Sequence, residues 1–405
     1  MFGLYFKREN NCATLLGVLM IVKNSYIWYF MTTATMMAGC RKPYAPPAVL
    51  APASYLVVEG VIDSGSDSTL ITLSRTVNIA NKTSLLIDSA AEVAVEREDG
   101  ASYPLSKFKG RYLVIGLNLD KAKKYRLHIK TGGDEYASDY EPVKLTPPID
   151  SISYKITGAG LQINSNTHDV TNNARYYRWE YEEAWKFHAA VNSGLIVKNG
   201  KVTFRDANEM YYYCYAGDRS SNIVLASSEK LLQDVISQNP VTLIPPNSGK
   251  LEIKYSIRLK QYALTKGAYA FWENLQKNTE QLGSIFDAQP SQLVGNIHSI
   301  SNPAEPVIGY VSVTNMQSRR IFISKNVLPD EWNIDLTGCE NNAYLFANPN
   351  TRQDDVALFI LKGGLIPTLS VLDSLGQVIG YRASTVECTD CRVRGNVNAP
   401  GFWQN

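Results

Sequence analysis

Cys40 closes the run Met37-Ala-Gly-Cys40, and its thiol is the first group in this sequence whose surroundings suggest a reaction. Small residues and an apolar core before a cysteine present that thiol for acylation, with cleavage of the chain just ahead of it. Cys388-Thr-Asp-Cys391 is the sharpest spacing of reactive side chains further on. Two thiols three residues apart can supply half of a structural zinc site, a redox pair or disulfides. Zinc would need a second pair of ligands, but Cys214 and Cys339 are isolated and no histidine sits nearby. A redox pair would open a helix after a strand, and Arg392-Val-Arg-Gly395 does not read as helical. Glu180, Glu182 and Glu183, with His188 close by, form the only acid–base grouping worth weighing. Glu180 and Glu182 share a strand face about 7 Å apart, a separation compatible with glycoside hydrolysis. Exposed strand faces commonly carry such pairs, here beside Arg178 and Lys186, so the grouping reads first as a solvated face.

Other catalytic and cofactor patterns are missing from the sequence. His128, His168, His188 and His298 are scattered without metal-ligand spacing, and there is no GxSxG or phosphate loop. Gly158-Ala-Gly160 lacks the third glycine and the following helix of a dinucleotide site. Asp63-Ser-Gly-Ser-Asp67 and Asp354-Asp355 lack a complete oxygen-ligand loop for calcium and read as turns. No catalytic, cofactor-binding or metal residue is therefore assigned, and no cofactor is expected. The 24 tyrosines against 12 phenylalanines fit either a binding surface or half-buried strands.

The anchor sets the compartment. Lys23 supplies a basic start, Tyr26 to Met37 an apolar core and Ala38-Gly39 the small pair, an arrangement that resembles the bacterial lipobox. Residues 1–39 are thus expected to be a signal peptide whose true start is Met20, and Cys40 to carry the lipid. The competing reading is an uncleaved N-terminal anchor helix; both put the body of the protein outside the cytoplasm. Removing Lys7, Arg8 and Lys23 from 40 basic residues, and Glu9 from 38 acidic ones, leaves 37 of each. A neutral chain without a basic run is a poor partner for nucleic acid. With Cys12 lost and Cys40 modified, Cys214, Cys339, Cys388 and Cys391 form an even set with three possible connectivities. A bridge over a short loop gains less, so Cys388 and Cys391 are expected each to reach back to Cys214 or Cys339.

The elements that must position these groups are mainly strands. Hydrophobic content of 45% suffices for sizeable cores. A Pro-rich tether occupies 40–53. Short alternating segments from Tyr55 to Lys144, punctuated by turn signals such as Asp99-Gly100, predict a seven-stranded sandwich over 54–147 that ends at Pro147-Pro148. The expected fold is mainly β: an N-terminal immunoglobulin- or transthyretin-like β-sandwich, then a second sandwich-like domain with helical insertions over 148–325. Its signature strand, Ala174 to His188, sets Tyr177, Trp179 and Tyr181 on one face and Arg178, Glu180 and Glu182 on the other. Lys250 to Leu264 predicts a long strand. Helices are expected at Ser228–Ile236 and, capped by Thr265, at Lys266–Gln281, where Ala268, Phe271, Trp272 and Leu275 form a buried stripe. The last segment, 326–405, reads as looser β structure, with strands at Val356–Leu361, Thr368–Leu372 and Val378–Arg382, pinned by disulfides to the second domain.

Leu282-Gly-Ser-Ile-Phe-Asp-Ala-Gln-Pro-Ser-Gln-Leu-Val-Gly-Asn-Ile297, with Gln261 to Leu264, Ala268-Tyr269 and Pro306-Val-Ile-Gly-Tyr310, resembles a family of Bacteroidota lipoproteins known as domain of unknown function 4249. Leu56-Val-Val-Glu-Gly60, Leu73-Ser-Arg75, the lipobox and the final Cys388-Thr-Asp-Cys391 with Phe402-Trp403 are similar to it as well. The resemblance implies an outer-membrane lipoprotein, often encoded beside a TonB-dependent transporter, and supplies no catalytic residue. Arg41-Lys42-Pro43 follows Cys40 where surface-exposed lipoproteins of these bacteria tend to carry acidic residues, so the resemblance does not choose between the outer and periplasmic faces. The expected function is therefore a non-enzymatic accessory or ligand-binding partner of such a transporter. The alternative is an envelope hydrolase acting on glycan or peptide through Glu180 and Glu182.

Overall fold

The structure, a computed structural model, describes residues 55–77, 86–280, 293–334 and 336–404. Cys40, the tether and residues 282–292 of the recognisable block lie outside the described residues. The described chain is mainly β, as its alternating segments predict.

Period-two alternation builds the first core. Ile71 and Leu73 of strand Ser68–Arg75, Val93 and Val95 of Glu92–Arg97, and Tyr125, Leu127 and Ile129 of Lys124–Thr131 all turn inward. They close one cluster between two antiparallel sheets. One sheet is ordered Leu56–Glu59, Ser68–Arg75, Arg111–Ile115, Ser106–Phe108; the other runs through Asp134–Ser138, Lys124–Thr131, Glu92–Arg97 and Ser102–Pro104. The chain returns here much later. Ile297–Ser299 pairs antiparallel with Asp134–Ser138, and Ser312–Thr314 pairs in parallel with Val61–Asp63. Ile297, Val307, Val311 and Val313 thereby enter the first core, so that core is not confined to 54–147. Pro147-Pro148 marks only where the outgoing chain leaves it.

The second core is organised by Tyr176–His188. This strand pairs with Lys254–Ala263 along one edge and with Tyr213–Arg219 and Val224–Ser227 along the other, and Gln317–Ser324 extends the sheet. Tyr177, Trp179 and Tyr181 point away from solvent onto a three-stranded sheet, Ile149–Thr157, Gly160–Asp169 and Asp234–Ile244. Trp179 is fully buried, and its indole N–H donates to Gln261 at 2.8 Å, which satisfies the polar edge that burial would otherwise orphan. Gln261 in turn donates to the carbonyl of Pro147 and to Thr167.

Three expected elements are corrected. Residues 228–233 are not helical but a loop folded around Arg175, whose guanidinium donates to the carbonyls of Ser228, Leu231 and Leu232. The Ser228 hydroxyl bonds the buried Asp234 at 2.5 Å instead of capping a helix. Those side-chain donors and acceptors compete with the helical pattern and win. Val356–Leu361 is a turn of π-helix, not a strand, burying Val356 and Ile360 against Ala383. The segment around Cys388 is also helical: Val386–Thr389 is a single α turn and Cys391–Val393 a 3-10 turn, in which the Arg392 amide donates to the Asp390 carboxylate and the Cys391 amide to the Tyr211 carbonyl.

The C-terminal chain forms a three-stranded sheet, Asn342–Leu345, Val378–Ser384 and Ile366–Leu372. It shares a small core with the hairpin Leu195–Lys198 and Lys201–Phe204. One disulfide, Cys214–Cys391, ties this part to the second sandwich, and the other, Cys339–Cys388, closes a loop within it. Each cysteine of the Cys-x-x-Cys pair therefore reaches back to a different distant partner. Beyond Cys391, Asn396 exchanges backbone hydrogen bonds with Tyr215, and Trp403 packs on Tyr215 and Phe322.

Candidate functional site

A cleft of about 630 Å³ opens between the two sandwiches. The polar face of Tyr176–His188 forms much of one wall. Opposite Arg178, Glu180 and Glu182 on the neighbouring strand stand Tyr262, Lys260 and Arg258, and Arg219 faces Glu182 from the other side. Helix Lys266–Glu280 adds Trp272. The first sandwich supplies the second wall through Glu59, Asp63, Asp67 and Arg111.

Arg178 lies at the base of this wall and is only 7% exposed. Its guanidinium stacks 3.9 Å from the centre of the Trp272 ring and 5.4 Å from that of Tyr262, and it donates to Glu180. A desolvated cation over an indole is worth about 2 kcal/mol. Its Nε has no hydrogen-bond partner among the described residues. The Tyr262 hydroxyl also donates to Glu180, at 3.3 Å, and burial together with that carboxylate pushes the phenol far above its ordinary range. Trp272 is half-buried in the cleft, which corrects its place in the helix's buried stripe; Ala268 and Phe271 are the buried pair.

The two candidate acids have partners. Lys260 donates to Glu182 at 2.6 Å, and Arg258 lies 3.8 Å from its other oxygen. Burial opposes the charge of Glu182, but the Lys260 hydrogen bond and the charges of Lys260, Arg258 and Arg219 outweigh it and hold the carboxyl below its usual range. A carboxylate held ionised in this way does not serve as a general acid near neutral pH. Glu183 faces the opposite side, where Lys250 and the Tyr255 hydroxyl bond it. His188 lies at the far end of the strand, 2.8 Å from Glu252 and stacked on Tyr212. Neither reaches Glu180 or Glu182, so the acid–base grouping is not assembled. Lys186 pairs with no carboxylate there; its ammonium sits over the rings of Tyr213 and Tyr215.

A depressed carboxyl pKa has a stability consequence with a definite sign. The contribution of Glu182 is present above the ordinary value of about 4.3 and is lost as pH falls through its lower folded value. Glu182→Gln should therefore flatten the acid limb of a pH–stability curve while altering stability little below that range. An unchanged acid limb in urea titrations at stepped pH would contradict the assigned ion pairs.

Trp272 is held in place by a set of contacts at the root of its helix. Thr265 caps the first turn, accepting from the Ala268 amide at 3.2 Å. Phe271 packs 5.6 Å from Tyr310, whose hydroxyl donates to the buried Glu141 at 2.6 Å. Asn296 donates to the same carboxylate and exchanges two hydrogen bonds with the backbone of Val311, substituting for a missing strand neighbour. A Cβ on Gly295 would lie 1.8 Å from the Gly309 carbonyl oxygen. A family model described as a domain of unknown function (DUF4249) matches residues 41–320.

The chain belongs to the DUF4249 family.

No curated protein matches it. Among the residues that carry the DUF4249 resemblance, Gly295, Asn296, Gly309 and Tyr310 are accounted for by this structural pin. They join the late-returning segment, the first sandwich and the root of the helix that presents Trp272. The DUF4249 cleft also contains residues that spacing did not single out, Glu59, Arg111 and Arg219, and it takes in Asp63 and Asp67, which the sequence offered only as a turn. The one available signal was shared parity, since Arg258 and Lys260 alternate in step with Glu180 and Glu182. Cys40 lies outside the described residues. Among the described residues there is no cluster with metal-binding composition and no helix long and apolar enough to cross a membrane.

Proposed function

We propose that this DUF4249 protein is a non-enzymatic lipoprotein, anchored through Cys40, that binds a polar ligand in the inter-sandwich cleft as the accessory partner of a TonB-dependent outer-membrane transporter. The observation that carries the ligand-binding part is the cleft itself. Its volume falls within the 300–1,000 Å³ typical of small-molecule sites, and charged and aromatic side chains from two sandwiches converge on it. The lipobox and the two long-range disulfides support an oxidising envelope compartment. The hydrolase reading through Glu180 and Glu182 has less support, because the cations around Glu182 keep it ionised and both acids lie on one wall.

Two experiments test the reading. Cys40→Ser should abolish incorporation of labelled palmitate and release the protein from the membrane fraction; lipid labelling that persists removes the anchor. Cross-linking in intact cells, followed by recovery of the lipoprotein from outer membranes, should bring a transporter with it. Repeated recovery without one removes the accessory role.

A further inference from the structure

We infer that the ligand of this cleft is a short peptide with both termini free; this deepens the ligand-binding reading above and rests on it. The argument is the distribution of charge between the walls. On the first sandwich the cleft is lined by three carboxylates, Glu59, Asp63 and Asp67, against one cation, Arg111. On the second it is lined by four cations, Arg178, Arg219, Arg258 and Lys260, against two carboxylates, Glu180 and Glu182. The walls therefore carry opposite net charges, two units each.

Internal pairing uses some of these groups and leaves others open. Asp63 is buried, and its two oxygens accept the amides of Gly65 and Met316. Glu59 and Asp67 are exposed, and the side chain of Glu59 has no partner among the described residues. Across the cleft, Arg219 is exposed with its guanidinium unbonded among the described residues, and the buried Arg178 keeps an unpartnered Nε. A purely anionic ligand would be repelled by Glu59 and Asp67, and a purely cationic one by the arginines. A neutral sugar would leave both sets unanswered. A zwitterion whose ammonium meets the acidic wall and whose carboxylate meets the guanidinium wall satisfies both, since each charged contact is a strong, charge-assisted hydrogen bond. Its charges must be well separated to span the walls. Three extended residues reach about 10 Å, comparable with the edge of a cube of the cleft's 630 Å³, whereas a free amino acid holds its charges far closer together.

Isothermal titration calorimetry on the full chain tests this with four probes: trialanine, N-acetyl-trialanine, trialanine amide and maltotriose. Trialanine should bind, and capping either end should weaken it at least about tenfold. Arg219→Gln should weaken trialanine about tenfold but leave the amide unchanged, and Glu59→Gln should weaken trialanine but leave the N-acetyl form unchanged. Both positions are exposed, so the variants should fold, which their melting curves would confirm. Caps without effect, affinities unchanged in both variants, or no binding of trialanine would each overturn the inference. Maltotriose bound where trialanine is not would overturn the peptide while leaving the cleft as a binding site.

Discussion

Removing the Cys214–Cys391 bridge, as Cys214→Ala with Cys391→Ala, should cost about 5 kcal/mol of unfolding free energy by loop-closure entropy. The bridge spans 177 residues of chain, the longer of the two loops, so its loss frees the larger part of the unfolded ensemble. The same reasoning gives about 4 kcal/mol for Cys339–Cys388, which spans 49 residues. The first pair has a local role as well. Cys214 and Cys391 are fully buried with Phe187 and Ala189, and the tail they anchor lies on the outer face of the second sandwich. Arg320 stacks on Phe402 at 3.6 Å, Trp403 packs on Tyr215 and Phe322, and Lys254 donates to the Gln404 carbonyl. Without the bridge this tail should come free. Trypsin would then cut after Arg392 and Arg394 well before the sandwiches are digested, and urea titration would report the lost stability. A variant that keeps its urea midpoint and resists trypsin at these sites would show that the disulfide does not hold the tail.

Gly295→Ala should cost about 3 kcal/mol or more, because its methyl group meets backbone rather than side chain. The added carbon would sit 1.8 Å from the Gly309 carbonyl oxygen. Gly309 cannot retreat, since a Cβ at its own position would lie only 2.3 Å from the Val58 carbonyl oxygen, and the Val58 amide bonds Ile308. Three stretches of main chain are thus stacked at contact distance, and relief requires parting the returning segment from the first sandwich. The consequence should extend to the cleft: Asn296 and Tyr310 shift with the segment, the helix loses its footing on Glu141, and Trp272 leaves Arg178. Urea titration should show the destabilisation, and tryptophan emission should shift to the red before the main transition. Gly158→Ala is the matched control, for nothing lies within 4 Å of its new carbon, and it should stay within about 0.5 kcal/mol of the parent. Equal stability of the two variants would refute the stacked-backbone account.

Strand alternation was legible wherever the code was local. Period two in Ser68–Arg75, Lys124–Thr131 and Tyr176–His188 put the apolar residues on the side the sequence indicates, although Arg178, Ala184 and Ser74 are buried on the opposite face, where other parts of the chain cover them. The Thr265 cap and the helix that follows were equally plain. Local patterns failed where a side chain from elsewhere took over the backbone's hydrogen bonds. Ser228 to Ile236 has helical spacing, but Arg175 takes its carbonyls and Asp234 takes its serine. Along-chain segmentation likewise could not show that Ile297 and Val313 belong to the first core, because those pairings join residues far apart in the chain.

Family membership, the even cysteine set and the mainly β character are all carried by neighbouring residues, whose types and periods keep their meaning wherever the segment ends up. Cysteine pairing and the cleft are different in kind. Which thiols meet, and which charged side chains come to line one cleft, depend on two sandwiches packed side by side and on a tail brought back over one of them. Those contacts arise from burial of apolar surface, which is non-directional and leaves no mark in the spacing of the residues it brings together.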